Sequence, residues 1–313
     1  MKMATELLDK YNEYQRIIGT KLIGFEMVAE CLLISLVVKG HVLLEGPPGV
    51  AKTMLAKTFA SLVDANFKRI QFTPDLLPTD IVGTVIYDPD AKKFSTRPGP
   101  IFTNILLADE INRASPKTQA ALLEAMEERQ VTIEGKTYPL DEPFMVIATE
   151  NPVEQEGTYP LPEAQLDRFL FKINIDYPTK DNEVRILQTK FGEGAGATVP
   201  KVFSKSEIMR ANKQLGSVSV SEKIMRFVSD VISNLRMNPS IVWGPSPRAS
   251  ISGISTGKVI ALLNGREYVV PGDVLRHSAH ILGHRIGLGP EYELEGLTKS
   301  EIVEKSFENI DAV

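Results

Sequence analysis

The sequence predicts an α/β fold, a mainly parallel sheet covered on both faces by helices, followed by a helical second domain. Three observations carry this expectation. Short apolar runs, HVLLEG, FKRIQF, NILLAD, FMVIAT and FLFKINI, alternate with helical patterns up to Ile175, as in parallel sheets buried on both sides. A glycine-rich stretch, GPPGVAKT from Gly46 to Thr53, lies between the first run and a helical pattern. Beyond Pro178 strand-like runs give way to helical periodicity.

Phe25 to Val38 suits a buried helix that Gly40 ends before the strand beginning at His41. Its apolar part, CLLISLVV, is too short to span a bilayer. KTMLAKTFASLVDA places Leu55, Phe59 and Leu62 at helical spacing, giving the order strand, glycine turn and helix. Val85 to Gly99 reads as a hairpin around Asp88-Pro89-Asp90, and Gln130 to Leu140 as a second around Glu134-Gly135. TQAALLEAMEER, Thr118 to Arg129, is helical between them. Further helices are expected near Asn182 to Lys190, Ser204 to Leu215, Ser221 to Leu235, Pro247 to Leu262 and Pro271 to Leu282, with GEGAGAT, Gly192 to Thr198, as a flexible connection. The domain boundary falls near Asp176 to Thr179, giving a core over residues 1–177 with two inserted hairpins and a helical domain over 178–313.

Composition narrows the class. The 313 residues are 43% hydrophobic and 24% charged, the balance of a folded protein, and the formal charge of −5 disfavours nucleic acid as a partner without a local basic channel. One cysteine makes neither an internal disulfide nor a thiolate cluster, and the start MKMATELLDKYNEY is acidic where a signal peptide needs an apolar run. The expected location is the cytoplasm, without membrane insertion.

GPPGVAKT nearly fits the phosphate-loop pattern G-x-x-x-x-G-K-[ST], with Ala51 in place of the last glycine. In such a loop Gly46, Pro47, Pro48, Gly49, Val50, Ala51, Lys52, Thr53 and Met54 wrap the phosphates with backbone N–H groups and a helix N-terminus. Lys52 reaches the outer phosphates and Thr53 holds Mg²⁺. Gly46 and Gly49 stand where positive φ or close approach is needed, while Ala51 is expected to be entering the helix, where alanine is well suited. A structural glycine turn is the alternative, but ILLADE adds a second signal: Asp109 and Glu110 at a strand end suit a metal-organising and a water-activating carboxylate. Asn151 could hold the attacking water or form an Asx turn before Pro152. Arg168 is a candidate finger for a neighbouring subunit's nucleotide, or a salt-bridge partner of Asp167 or Glu163. Arg248 could bring the helical domain onto the nucleotide, or be a surface arginine. His277, His280 and His284 are spread too far along one helix to share an ion, so packing or interdomain contacts are expected of them. The only metal expected is nucleotide-bound Mg²⁺.

The blocks GHVLLEGPPGVAKT, FTPDLLPTDIVG, LLADEINRASPKTQAALLEAMEERQVTI, ATENPVEQEGTYPLPEAQLDRF and GPSPRA, in this order across essentially the whole chain, resemble the MoxR family of AAA+ ATPases. The resemblance implies a P-loop NTPase core with strand order 5-1-4-3-2, an all-helical lid, and ATP hydrolysis. It further implies a homo-oligomeric, usually hexameric, ring and a partner with a von Willebrand factor A domain. It assigns Lys52 and Thr53 to Walker A, Asp109 and Glu110 to Walker B, Asn151 as first sensor, Arg168 as finger in trans and Arg248 as second sensor. Ala51 is the family's usual residue, whereas Gly24-Phe25 departs from its usual Gly-Gln on the adenine side. The implied output is chaperone-like remodelling of a partner complex, with a ring acting on nucleic acid or a nucleotide-gated binding module as alternatives.

Overall fold

The protein is described by a computed structural model over residues 2–90, 92–152, 157–191 and 199–307. Nine strands lie in its first part: β1 (Val42–Glu45), β2 (Phe67–Gln71), β3 (Gly83–Asp88), β4 (Lys93–Pro98), β5 (Ile105–Asp109), β6 (Gln130–Ile133), β7 (Lys136–Pro139), β8 (Met145–Glu150) and β9 (Phe171–Asn174). Five of them form one sheet in the order β2-β5-β8-β1-β9, with every neighbouring pair parallel. Counting only these five along the chain gives the order 5-1-4-3-2 that the resemblance implied. The other four form the two expected antiparallel hairpins, β3 with β4 and β6 with β7.

Burial follows from position in the sheet. β5 and the first five residues of β8 are buried throughout and read as unbroken apolar or small runs, because helices cover both faces of a central parallel strand. β2 lies at the edge and keeps Lys68, Arg69 and Gln71 exposed. Alternate residues feed two cores: Leu44, Leu107, Ile147 and Phe171 point to one, Leu43, Leu106 and Val146 to the other. The first core continues into the carboxy-terminal helices through Phe227, Leu235, Ile260 and Ile281. The second is closed by the helix Pro116–Glu128 and the hairpin β6-β7.

The helix Glu26–Val37 matches its expected extent and is buried on nearly every side, as a helix apolar all round requires. A helix at Lys2–Lys21 was not anticipated, because its many polar residues hide a narrow stripe of Tyr11, Tyr14, Ile17 and Ile18. Tyr14 is fully buried, donates its hydroxyl to the Ala29 carbonyl at 2.7 Å, and packs 6.0 Å from the Phe203 ring.

The helices Lys180–Phe191, Lys205–Gln214, Glu222–Met237 and Pro247–Leu263 follow the expected periodicity. The single helix expected from Pro271 to Leu282 is instead two, Pro271–Leu275 and Ser278–Leu282. The chain turns at Arg276-His277, where both side chains leave the helix path for Glu30, Arg276 at 3.0 Å and His277 at 3.4 Å. A short antiparallel pair, β10 (Ile241–Trp243) with β11 (Gly287–Leu288), accompanies the helices. The glycine-rich connection at 192–198 lies outside the described residues.

Candidate functional site

The loop 46–53 leaves the carboxyl end of β1 and enters the helix Lys52–Leu62. A Cβ on Gly46 would lie 2.3 Å from the Ile175 carbonyl oxygen, and Gly49 has φ +84°. These two positions need glycine for the reasons expected, close approach at one and a left-handed backbone at the other. Ala51 corrects the expectation: it is not in helical conformation but caps the helix at φ 62°, ψ 21°. The methyl group is tolerated in the left-handed region, not in the first turn, at a cost of roughly 1–2 kcal/mol.

Lys52 is buried and its ammonium donates to the Gly46 carbonyl at 2.6 Å and the Glu150 carbonyl at 3.2 Å. The side chain therefore folds back across the loop mouth. Burial pulls its pKa below that of a free lysine, while Asp109, Glu110 and Glu45 oppose the shift. Pro48, Gly49 and Met54 are exposed around it.

Asp109 and Glu110 end β5 beside this loop. Thr53 Oγ1 lies 3.4 Å from Asp109 Oδ2. A hydroxyl and a carboxylate are the hard oxygen donors that Mg²⁺ takes alongside phosphate oxygens and water, so these residues fit the ion. Thr149, on β8, donates to Asp109 Oδ1 at 2.6 Å and accepts the Glu110 N–H at 2.8 Å. Glu110 is held in the left-handed region at φ 56°, an uncommon backbone state that surrounding contacts must maintain. Asn151 follows β8 directly and is buried, so the loop, both carboxylates and Asn151 converge at the carboxyl ends of β1, β5 and β8.

Several residues of this cluster escaped the sequence, among them Arg69 and Gln71. Arg69 on β2 places Nε and Nη2 on Asp109 Oδ2 at 2.9 and 2.7 Å. Gln71, two residues on, accepts from Arg69 Nη2 at 2.8 Å and donates to Glu110 Oε2 at 2.7 Å. The only sequence signal is the polar alternation in FKRIQF, which says nothing of which strand lies alongside. Arg113 also reaches Glu110 Oε2, at 3.2 Å.

Arg168 and Arg248 are brought together, but not at the loop. Both bind Glu127, Arg168 to Oε2 at 3.0 Å and Arg248 to Oε1 at 2.6 Å, and Arg168 also donates to the Leu123 carbonyl at 2.9 Å. The partner is neither Asp167 nor Glu163, because the helix Pro116–Glu128 carries Glu127 to the amino ends of the strands. There the two arginines line a cavity of about 280 Å³ with His41, Leu170 and Arg285. Leu170 is level with His41, its N–H bonded to the His41 carbonyl. From there to Gly46 is five residues, roughly 16 Å at a strand rise of ~3.3 Å.

The histidines lie at packing positions. His41 is fully buried; burial, with Arg129 adding, pulls its pKa down to about 3. Its neutral ring accepts the Val146 N–H at Nδ1, 3.0 Å, and pairs Nε2 with the Met126 carbonyl at 3.1 Å. His284 Nε2 lies 3.1 Å from the Phe169 carbonyl, and burial sets its pKa well below the ordinary value. His277 packs edge-on against Phe171. No described helix is long and apolar enough to cross a membrane.

Residues 41–171 match the ATPase family associated with various cellular activities (AAA), and residues 233–306 match the AAA lid domain. The chain is 46% identical to Chaperone MoxR1 of Mycobacterium tuberculosis over 85% of this chain and 73% of that protein. It is also 46% identical to the uncharacterized protein YeaC of Bacillus subtilis, over 91% and 89% of the two chains. A crystal structure described as a candidate ATPase from Cytophaga hutchinsonii superposes with a TM-score of 0.92 at 40% identity, covering 100% of this chain and 97% of that one. With the phosphate loop, the carboxylate pair and the 5-1-4-3-2 sheet in place, these matches make the chain an ATP-hydrolysing enzyme: it belongs to the MoxR family of AAA+ ATPases.

Proposed function

We propose that ATP is bound on Gly46 to Met54 of one subunit and hydrolysed with Arg168 and Arg248 supplied by the next subunit of a ring, hexameric by family analogy. What supports this reading is the separation above: the arginine pair sits at the amino ends of β1 and β9, the loop at the carboxyl end of β1. A nucleotide on one subunit's loop is reached by arginines on the far side of another. The shared contact with Glu127 supports action of Arg248 in trans, together with Arg168.

In this mechanism Lys52 exchanges its two carbonyl partners for the outer phosphates. Thr53 and Asp109 would hold Mg²⁺, which would supply charge neutralisation at the phosphate oxygens. Glu110 accepts a proton from the attacking water, with Asn151 orienting it. Attack at the γ-phosphorus forms the new P–O bond as the bond to the bridging oxygen of ADP breaks. The neighbour's guanidiniums stabilise the charge that moves onto the leaving and equatorial oxygens, an effect of about 10³ to 10⁵ in rate for trans-acting arginines.

The relative MoxR1 is named a chaperone, and we extend that output to this chain: hydrolysis in a core (1–177) and lid (178–313) drives remodelling of a cytoplasmic client, through a von Willebrand factor A domain partner. The decisive experiment mixes subunits. Arg168→Ala retains nucleotide binding and loses turnover, and added Glu110→Gln subunits, inert themselves, restore part of it by donating their arginines. Full turnover of Arg168→Ala alone removes the interface mechanism. Partner proteins recovered on ATP-held Glu110→Gln test the client assignment, and preferential recovery of DNA reverses it.

A further inference from the structure

Asp167 stands immediately before Arg168, yet its carboxylate is engaged entirely from the lid. Oδ1 accepts from Arg285 Nε at 2.6 Å and Oδ2 accepts from Ser246 Oγ at 3.0 Å. Ser246 Oγ in turn accepts the N–H of Arg248 at 3.2 Å, as the cap of the helix Pro247–Leu263. Arg285 is only 3% exposed. Its remaining donors go to the carbonyls of Asp167 at 3.1 Å, Phe169 at 2.8 Å and Leu170 at 3.3 Å, and to Ile281 at 2.5 Å. A guanidinium is buried at this depth only when its donors are paired, and here most are spent on the residues flanking Arg168.

We propose that Asp167, held by Arg285 and Ser246, is a positioning residue that fastens the Arg168 segment to the lid helix carrying Arg248, so that both guanidiniums are presented to a neighbour as one unit. One carboxylate joins the two arginine-bearing segments from behind, and Glu127 joins their side chains in front. A displacement of the lid in one subunit then re-aims both arginines toward the nucleotide of the next. The inference rests on the reading that Arg168 acts across a subunit interface.

The test is Asp167→Asn in the full chain, which keeps the shape of the side chain and removes its charge. The expected result is a fall in kcat of tenfold or more with the KM for ATP changed less than twofold, since the variant's own phosphate loop is untouched. Added Glu110→Gln subunits restore turnover, and the double variant Asp167→Asn/Arg168→Ala is no slower than Arg168→Ala alone. Lost turnover that Glu110→Gln subunits do not restore overturns the positioning role. So does a folded Asp167→Asn with unchanged kcat beside an inactive Arg168→Ala, and in that case the interface reading stands. An active Arg168→Ala removes the interface reading itself. Should Asp167→Asn fail to fold, Ser246→Ala, which deletes one hydroxyl, is expected to lower kcat severalfold at constant KM, and an unchanged kcat there counts against the proposal equally.

Discussion

The guanidinium of Arg69 lies on Asp109, donating from two nitrogens to Oδ2 at 2.9 and 2.7 Å. The same oxygen faces Thr53 Oγ1 at 3.4 Å. A cation seated between Thr53 and Asp109 competes with Arg69 for it. The arginine is half exposed, so the pair contributes about 1 kcal/mol at most. Arg69→Met is therefore expected to lower the Mg²⁺ concentration giving half-maximal nucleotide binding by up to about fivefold, measured by Mg²⁺ titration with a fluorescent ATP analogue. An unchanged or raised midpoint rejects the competition.

At Ala51 the left-handed backbone sets opposite expectations for two substitutions. Ala51→Gly removes strain of roughly 1–2 kcal/mol but adds about 0.4–1 kcal/mol of unfolded-chain entropy. The net expectation is a stability gain of about 0–1.6 kcal/mol, with ATP binding retained. Ala51→Val puts a β-branched side chain in the same region, where such residues are outliers, and should lose both melting temperature and affinity. Equal behaviour of the two variants in thermal unfolding argues against the positive φ.

Gly46 and Gly49 should also separate. An alanine methyl at Gly46 meets the Ile175 carbonyl oxygen, a backbone atom that cannot swing aside, whereas at Gly49 nothing lies within 4 Å. Gly46→Ala is expected to cost about 1–3 kcal/mol and to reduce ATP affinity at least tenfold. Gly49→Ala carries backbone strain alone, and calorimetric binding of ATP should rank the two in that order.

Acid should destabilise the fold earlier than carboxylate protonation explains. In the unfolded chain His41 and His284 take up protons near pH 6.5. In the folded chain burial keeps both neutral, His41 down to about pH 3 and His284 likewise well below its ordinary value. The unfolded state thus binds more protons below pH 6.5, so stability present above that pH falls as pH drops toward 3, by up to ~1.4 kcal/mol per unit for each histidine. Urea denaturation at pH 8 and pH 5 should differ by roughly 2–4 kcal/mol. A difference under about 1 kcal/mol shows that these rings accept a proton without unfolding.

Much of the site was legible because its signals are local. Strand, loop and helix around Gly46 to Thr53 are consecutive in the chain, and Asp109-Glu110 end an apolar run, so periodicity and turn chemistry locate them. The hairpins were equally legible from Asp88-Pro89-Asp90 and Glu134-Gly135. The first helix was not, since Tyr11, Tyr14, Ile17 and Ile18 are a narrow stripe among many polar residues, buried only once other helices cover it. The helix break at Arg276-His277 was hidden likewise, because Glu30, which both side chains meet there, lies more than two hundred residues away.

The sequence by itself determined the fold class and located the phosphate loop and the strand-end carboxylates, since each rests on residue type and short-range spacing, and it offered Arg168 and Arg248 only as candidates. Tertiary structure alone decided what those residues touch. Only the sheet order puts Arg69 and Gln71 beside Asp109 and Glu110. Only the packing of lid on core sets Arg168 and Arg248 on one carboxylate at the sheet end opposite the loop. Only the fold puts Ala51 in the left-handed region. Long-range contacts of this kind depend on which surfaces meet once the two cores close, and neither propensity nor periodicity carries that information.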